Sequence, residues 1–375
     1  MTFNDLKTNI KSRLNPVRVT SWYGKYERPI SSLSLIGGFV FDALTLTRVD
    51  QFWENFWIFG HLLIIAPCII FINSLDNDPG AEANPEKLHF WLVNILQFFF
   101  GGLLSVFLVF YFRSADLSVS WPFLLILALV FWANESLKRH FIRLTFQLSL
   151  FFLSVFCCFI YLTPVVIHKI GAGTFLISGF ASLLFMLLFL HVLVRFSRER
   201  FYESRKAIAF SILGIYLTMN LFYFANIIPP IPLSLKDSGV FHDIERKSDG
   251  SYVGEYEDYG WRGFLQMYSN YHYMAGDTVY AYSAIFSPSS LNINVTHEWQ
   301  RYDETSEKWV SEGTVTLPVV GGRDGGFRTY SQRGDLSAGF WRVNVKTSNG
   351  LVIGRLRFEV IPVSSEPVLS EKLLQ

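Results

Sequence analysis

The densest run of side chains able to recognise an anion lies late in the chain, where Arg323, Asp324, Arg328, Tyr330 and Arg333 fall within eleven residues. Guanidinium groups next to an aromatic ring suit planar, bidentate recognition of a carboxylate or phosphate. His297 and Trp309 join them if their strands pair with the glycine-rich segment, and the seven residues form the candidate ligand-binding set. An Arg–carboxylate contact that only pins the glycine turn would use the same residues. A second grouping, Tyr252, Tyr256, Tyr259, Trp261, Tyr268, Tyr271 and Tyr273 with His272, offers flat faces for sugar rings or a membrane interface, and equally the material of a β core. Two acids, Asp42 and Glu135, fall in apolar runs, where an ionisable group is a functional candidate by default. Each also has a plain reading, Asp42 as a helix-end residue beside Arg48 and Glu135 as an interfacial one ahead of Lys138 and Arg139.

Other chemistries are missing from the sequence. There is no phosphate-binding P-loop, dinucleotide fingerprint, nucleophile elbow or paired-histidine zinc motif, so no catalytic residue, cofactor or metal is assigned. Asp76, Asp78, Gly80 and Glu82 lack the full ligand pattern of a calcium loop and read as a solvated turn. The three cysteines, Cys68, Cys157 and Cys158, all sit in apolar runs, which leaves no disulfide framework for the C-terminal part. A binding role is therefore preferred to an enzymatic one.

The elements that must position these residues come from two unlike parts of the 375-residue chain. Residues 1–30 carry Lys7, Lys11, Arg13, Arg18, Lys25 and Arg28 and read as a cytoplasmic segment without a cleavable signal peptide. Residues 31–228 contain seven apolar runs, the weakest starting at Ser31 and interrupted by Gly37, Gly38 and Asp42, the last running from Ala207 to Ile228. With the N-terminus inside, the inner loops hold fifteen Lys and Arg, including the run from Arg195 to Lys206, and the outer loops hold Arg48, Arg113 and Lys169. That asymmetry orients the chain with its C-terminal part outside.

Residues 229–238 contain Pro229, Pro230 and Pro232 and predict an extended, semi-rigid linker that holds the next domain off the bilayer. From Gly239 the pattern turns to period two, with strands expected over 277–287, 293–302 and 308–320. Asn349-Gly350 between two alternating runs predicts a tight hairpin, since both residues tolerate positive φ. The expected fold is thus a membrane all-α bundle of about seven spans, followed over 239–362 by an all-β, immunoglobulin-like antiparallel sandwich, with a disordered tail at 363–375.

The C-terminal part resembles the bacterial family known as domain of unknown function 2914. The resemblance rests on His297-Glu298-Trp299, the stretch GGRDGGFRTYS ending at Ser331, Gly339-Phe340-Trp341-Arg342-Val343 and the closing Gly350 to Val360 strand. The segment IIPPIPLSLKD, Ile227 to Asp237, is similar to the junction in multi-pass members of that family. The resemblance implies the architecture and supplies no catalytic residue. The resulting expectation is a multi-pass protein of the bacterial inner membrane, with a non-catalytic periplasmic domain that engages an envelope glycan, a lipid headgroup or a membrane-protein partner and no nucleic acid. The alternative is a membrane-embedded enzyme or transport component acting on a lipid-linked envelope substrate, with the β domain as lid or guide.

Overall fold

The structure, a computed structural model, describes residues 33, 35–46, 52–75, 85–248, 251–260, 266–288 and 291–374. The basic segment 1–30, the loop from Asp76 to Glu82, Arg48 and Trp261 lie outside the described residues.

Seven helices come first: α1 (Leu35–Thr45), α2 (Phe52–Leu75), α3 (Pro85–Arg113), α4 (Leu117–Ser136), α5 (Leu144–Ile167), α6 (Ala172–Phe196) and α7 (Arg198–Phe224). Among the described residues, α2 to α7 are long and apolar enough to cross a membrane. The run from Ser31, expected as the weakest span, yields only the short α1. The basic run after Arg195 was expected as a loop, but it forms the first turns of α7. Its Arg, Glu and Lys residues are good helix formers, and only Ser197 separates the two helices. Pro164, expected to end the fifth span, sits within the last turn of α5, which closes one residue beyond Ile167 with His168 in the left-handed region at φ 58°. Helices α3 and α5 are the most enclosed, α5 burying Phe151, Phe152, Phe156, Cys157 and Cys158 against α6, α7 and α2, whereas α7 keeps most of its surface exposed.

Eleven strands follow among the described residues: β1 (Ser234–Phe241), β2 (Asp243–Arg246), β3 (Tyr252–Tyr256), β4 (Ser269–Tyr273), β5 (Thr278–Phe286), β6 (Ile293–Asp303), β7 (Lys308–Val319), β8 (Phe327–Gly334), β9 (Gly339–Thr347), β10 (Val352–Pro362) and β11 (Ser370–Leu374). They form sheets in the orders β1-β5-β8, β4-β10-β9-β6-β7 and β11-β3-β2. The strands expected near 277, 293 and 308 appear within one or two residues of their predicted limits. Every pairing is antiparallel except β4 with β10, which is parallel and corrects the expectation of an entirely antiparallel region. Alternation puts Val279, Ala281 and Ile285 of β5 in one apolar core with Val295 and Trp299 of β6, Trp341 and Val343 of β9, and Phe358 of β10. The opposite face of β5, through Tyr282 and Ala284, packs against Phe241, Ile244 and Leu374 beside the small third sheet.

The proline segment is compact. Ile231 N donates to Pro229 O at 2.8 Å and Leu233 N to Pro230 O at 3.0 Å, while Ile228, Ile231 and Leu233 are buried. Ile228 and Ile231 join Phe286 and Leu351 in the core of the helical region, so the segment fastens the β region to the helices instead of spacing it away. The apolar residues between the prolines decide this, because their burial outweighs the extended preference of the ring. The tail also departs from expectation: Ser370–Leu374 pairs with β3, and Leu374 is buried, a satisfied edge replacing disorder. At the hairpin only Gly350 takes positive φ, 84°, and its N–H donates to Thr347 O at 2.9 Å, so the turn carries one left-handed residue where two were expected.

Candidate functional site

The arginines and aromatics singled out in the glycine-rich stretch do not meet at one place. Arg323 and Asp324 lie in the β7–β8 turn, where Gly326 N donates to Arg323 O at 3.1 Å and the Arg323 guanidinium sits 5.2 Å from the Phe327 ring centre. Arg328 and Tyr330 project from β8 towards Tyr252 and Tyr280. Arg333 faces the other way along the strand, donating to Glu312 O at 2.7 Å and lying over Trp341. Alternation separates neighbours two by two, so sequence proximity here places residues on different surfaces.

His297 is fully buried between the sheets. Its Nε2 is 2.8 Å from Ser283 Oγ and its Nδ1 is 2.9 Å from Ser331 Oγ, which also accepts from Trp299 Nε1 at 3.0 Å. Ser283 Oγ lies 2.9 Å from Thr329 Oγ1, closing a network whose members are all buried. Burial pushes the imidazole pKa down to about 4, so it is neutral at pH 7 and donates through one nitrogen while accepting through the other. This arrangement holds two sheets together and offers nothing to a ligand.

Trp309 lies on the opposite face of the same sheet, under the Arg342 guanidinium at 4.2 Å. That outer face carries a continuous polar ladder. Arg342 Nε donates to Gln300 Oε1 at 2.7 Å; Asn344 Nδ2 reaches Glu298 Oε2 at 3.0 Å; Lys346 Nζ reaches the same oxygen at 2.5 Å; and Arg355 Nε donates to Asn344 Oδ1 at 2.6 Å. Burial, with Arg355 and Arg357 nearby, brings the Arg342 guanidinium down to about 10, and burial together with Arg357 lowers Arg355 despite Asp116.

The ladder ends where the β region meets the helices. Arg355 Nη1 donates to Ser118 Oγ at 3.2 Å, and on the neighbouring helix connection Asn349 Nδ2 donates to Ile170 O at 2.9 Å. Beside the Arg355–Ser118 contact opens a cleft of about 340 Å³ lined by Arg113, Asp116, Ser118, Gly354, Arg355 and Arg357. Three guanidiniums against one carboxylate make this a strongly cationic recess, and neither Arg355 nor Arg357 stood out in the sequence. The signal was present in the alternation of L-R-F from Leu356 to Phe358 with G-R before it, which puts Arg355 and Arg357 on one face. Their meeting with Arg113 depends on how the two regions dock.

A second recess, about 440 Å³, lies by the β4 edge. There Glu257 Oε1 is 3.0 Å from His242 Nε2 and accepts from His272 N at 2.7 Å, while Oε2 is 2.5 Å from His272 Nδ1 and accepts from the Tyr259 hydroxyl. Burial raises the Glu257 pKa, but the hydrogen bonds from His242, Tyr259 and His272 outweigh it and bring the carboxyl to about 2. Of the aromatic grouping, Tyr259 and His272 thus touch one acid, and Tyr271 stacks on His242 at 4.1 Å. Glu257 and His242 were missed because 15 positions separate them and no motif links them.

Residues 292–360 match the family model DUF2914, described as a protein of unknown function. The DUF2914 match covers β6 to β10, and therefore both His297 and the outer ladder with Arg342, Arg355 and Arg357, but neither the helices nor Glu257. A search of curated proteins finds no match. A solved structure of Pseudomonas fluorescens alkylpurine DNA glycosylase AlkC bound to DNA containing an abasic site analog is similar at 9% identity over 82% of this chain and 99% of that one, with a TM-score of 0.22, too loose a superposition to relate the folds.

In the helical region, Ser105 Oγ donates to Asp42 Oδ2 at 2.5 Å and Gln97 Nε2 to Glu135 Oε2 at 3.0 Å. Both candidate acids are thus tied to polar neighbours on α3.

Proposed function

We propose that this protein is a membrane-anchored binding module: seven crossings, the short α1 followed by the six long helices, keep the basic N-terminal segment inside and seat an immunoglobulin-like β sandwich on the outer face of the bacterial inner membrane, where it engages an envelope component. The observation that carries this reading is the polarity of the helical region. The connections that touch the β region, at Ser118 and Ile170, hold Arg113 and Lys169, whereas the other ends hold Lys138, Arg139, Arg143 and the basic first turns of α7. The positive-inside rule then puts the β region on the side away from the cytoplasm. Packing of Ile228, Ile231, Phe286 and Leu351 keeps it against the membrane end of the helices, where a headgroup, an envelope glycan or a membrane protein is within reach.

Cysteine labelling tests the orientation, since Cys68, Cys157 and Cys158 are buried. With an impermeant maleimide on intact cells whose outer membrane has been permeabilised, Thr305→Cys in the β6–β7 turn labels and Ser136→Cys at the far end of α4 does not. The reverse pattern sinks the reading.

A second reading, a membrane-embedded enzyme or transport component acting on a lipid-linked substrate, is favoured by one observation. Glu257 with His242, His272 and Tyr259 is an acid–base constellation in a recess. Replacing Glu257 by Gln in a deletion strain carrying the full chain discriminates between the two. Full rescue with normal protein levels removes the enzymatic reading, and a null phenotype at normal levels favours it.

A further inference from the structure

We infer that the cleft between the α3–α4 turn and β10 binds the phosphate of an anionic membrane lipid, with Arg113, Arg355 and Arg357 taking the headgroup and the exposed stripe of α4 taking an acyl chain. This rests on the reading of α4 as a membrane span and names the ligand class that the module engages.

The charge balance of the cleft is the first ground. Asp116 is its one carboxylate, and its Oδ1 already accepts from Ser118 N at 2.8 Å as the cap of α4, so it is held at the helix end and does not reach across the cleft to form an ion pair. Arg355 is oriented by Asn344 Oδ1 on one side and Ser118 Oγ on the other, and Arg113 by its bond from Nη2 to Ala43 O at 2.7 Å. Arg357 makes no side-chain hydrogen bond or ion pair among the described residues. Guanidiniums held in place by neutral oxygens, with nitrogens to spare, are arranged for a multivalent oxyanion. The volume, about 340 Å³, is in the range of sites for small ligands and leaves room beyond a phosphate for the rest of a headgroup.

The surface below the cleft selects the source of that phosphate. Leu117, Trp121, Leu125 and Leu129 recur every four residues down α4 from the cleft rim, and are 55%, 57%, 49% and 50% exposed. At that spacing they form one apolar stripe beginning at the headgroup site. A soluble anion has no use for the stripe, whereas a lipid fills cleft and stripe together. Trp121, one turn below the rim, is the residue type that settles at the headgroup boundary.

The test uses the full chain purified in a neutral detergent and reads lipid retention by native mass spectrometry alongside thermal unfolding. Phosphatidylglycerol should bind about tenfold more tightly than phosphatidylcholine, the size of effect that one charge-assisted contact supplies. Arg357→Gln, which breaks no observed bond, should bring the two lipids within about twofold while unfolding unchanged in detergent alone. Arg328→Gln, outside the cleft, should keep the preference. Equal binding of both lipids by the parent protein, or an undiminished preference in Arg357→Gln, overturns the site. Protection by inorganic phosphate equal to that by phosphatidylglycerol overturns the lipid assignment in favour of a soluble anion. A protein that stays in membranes through alkaline extraction yet shows no preference fails this inference alone, whereas one released by alkali fails the membrane reading itself.

Discussion

His297 and Glu298 are adjacent in β6 and belong to different worlds. One side of the sheet buries His297 and Trp299 against Ser331, with the polar atoms of all three matched. The other side sets Glu298 among Lys346, Asn344 and Gln300, half open to solvent and continuous with the arginine cleft. Both are polar networks of comparable extent. The inner one fixes the relation between two sheets, and the outer one stays open to solvent on the face that continues into the arginine cleft. Solvent access, not residue type, separates the two networks.

The largest effect should come from breaking the inner face. Trp299→Ala empties a buried site and leaves Ser331 without its donor, so we expect about 3–5 kcal/mol of destabilisation, read by chemical unfolding of the full chain in detergent. Next is the pH response of His297. Its folded pKa, about 4, lies below the ordinary value of 6.5, so the unfolded chain takes up a proton that the folded one refuses. Stability should therefore fall as pH drops from 6.5 to 4, by about 3 kcal/mol in total, and a His297→Gln chain should lose that slope. A flat profile in the parent protein would show that the network is not sealed. Glu257 titrates in a separate window: its folded value near 2 lies below the ordinary 4.5, so its contribution is present above 4.5 and disappears as pH falls towards 2, an arm that Glu257→Gln should remove.

Smaller changes probe the outer face and the docking. Gly171 has φ of 148°, and a Cβ there would stand 2.5 Å from Asn349 Nδ2, so Gly171→Ala should shift the hairpin off the α5–α6 connection and raise hydrogen exchange at Ser348 to Leu351. Arg342→Ala removes one bond to Gln300 and the stack on Trp309, for about 1 kcal/mol. Lys346→Ala, a partly exposed partner of Glu298, should stay below about 1 kcal/mol. If Arg342→Ala proves as damaging as Trp299→Ala, the contrast between the faces fails.

The long helices and five of the eleven described strands were legible because their signals are local. Uninterrupted apolar runs give helices of spanning length, and period-two alternation marks β5, β6, β7, β9 and β10 to within a residue or two. The tail and the proline segment were misread for the opposite reason: Leu374 and Ile231 are ordered by surfaces that lie far away in the sequence. The site reading suffered likewise. Arg323, Arg328 and Arg333 are close along the chain and diverge in space, while Arg113 and Arg355 are distant along the chain and line one cleft.

By itself the sequence determined the long apolar helices and the five strands of clearest alternation, the basic imbalance between the two sets of helix connections, and the face on which the residues of those strands fall, since periodicity and charge are properties of neighbours. Only the tertiary structure decided that His297 is sealed, that Glu257 gathers two histidines and a tyrosine, and that the β region sits down on the α3–α4 and α5–α6 connections. Those outcomes depend on which surfaces exclude water from one another, and burial is set by partners from anywhere in the chain.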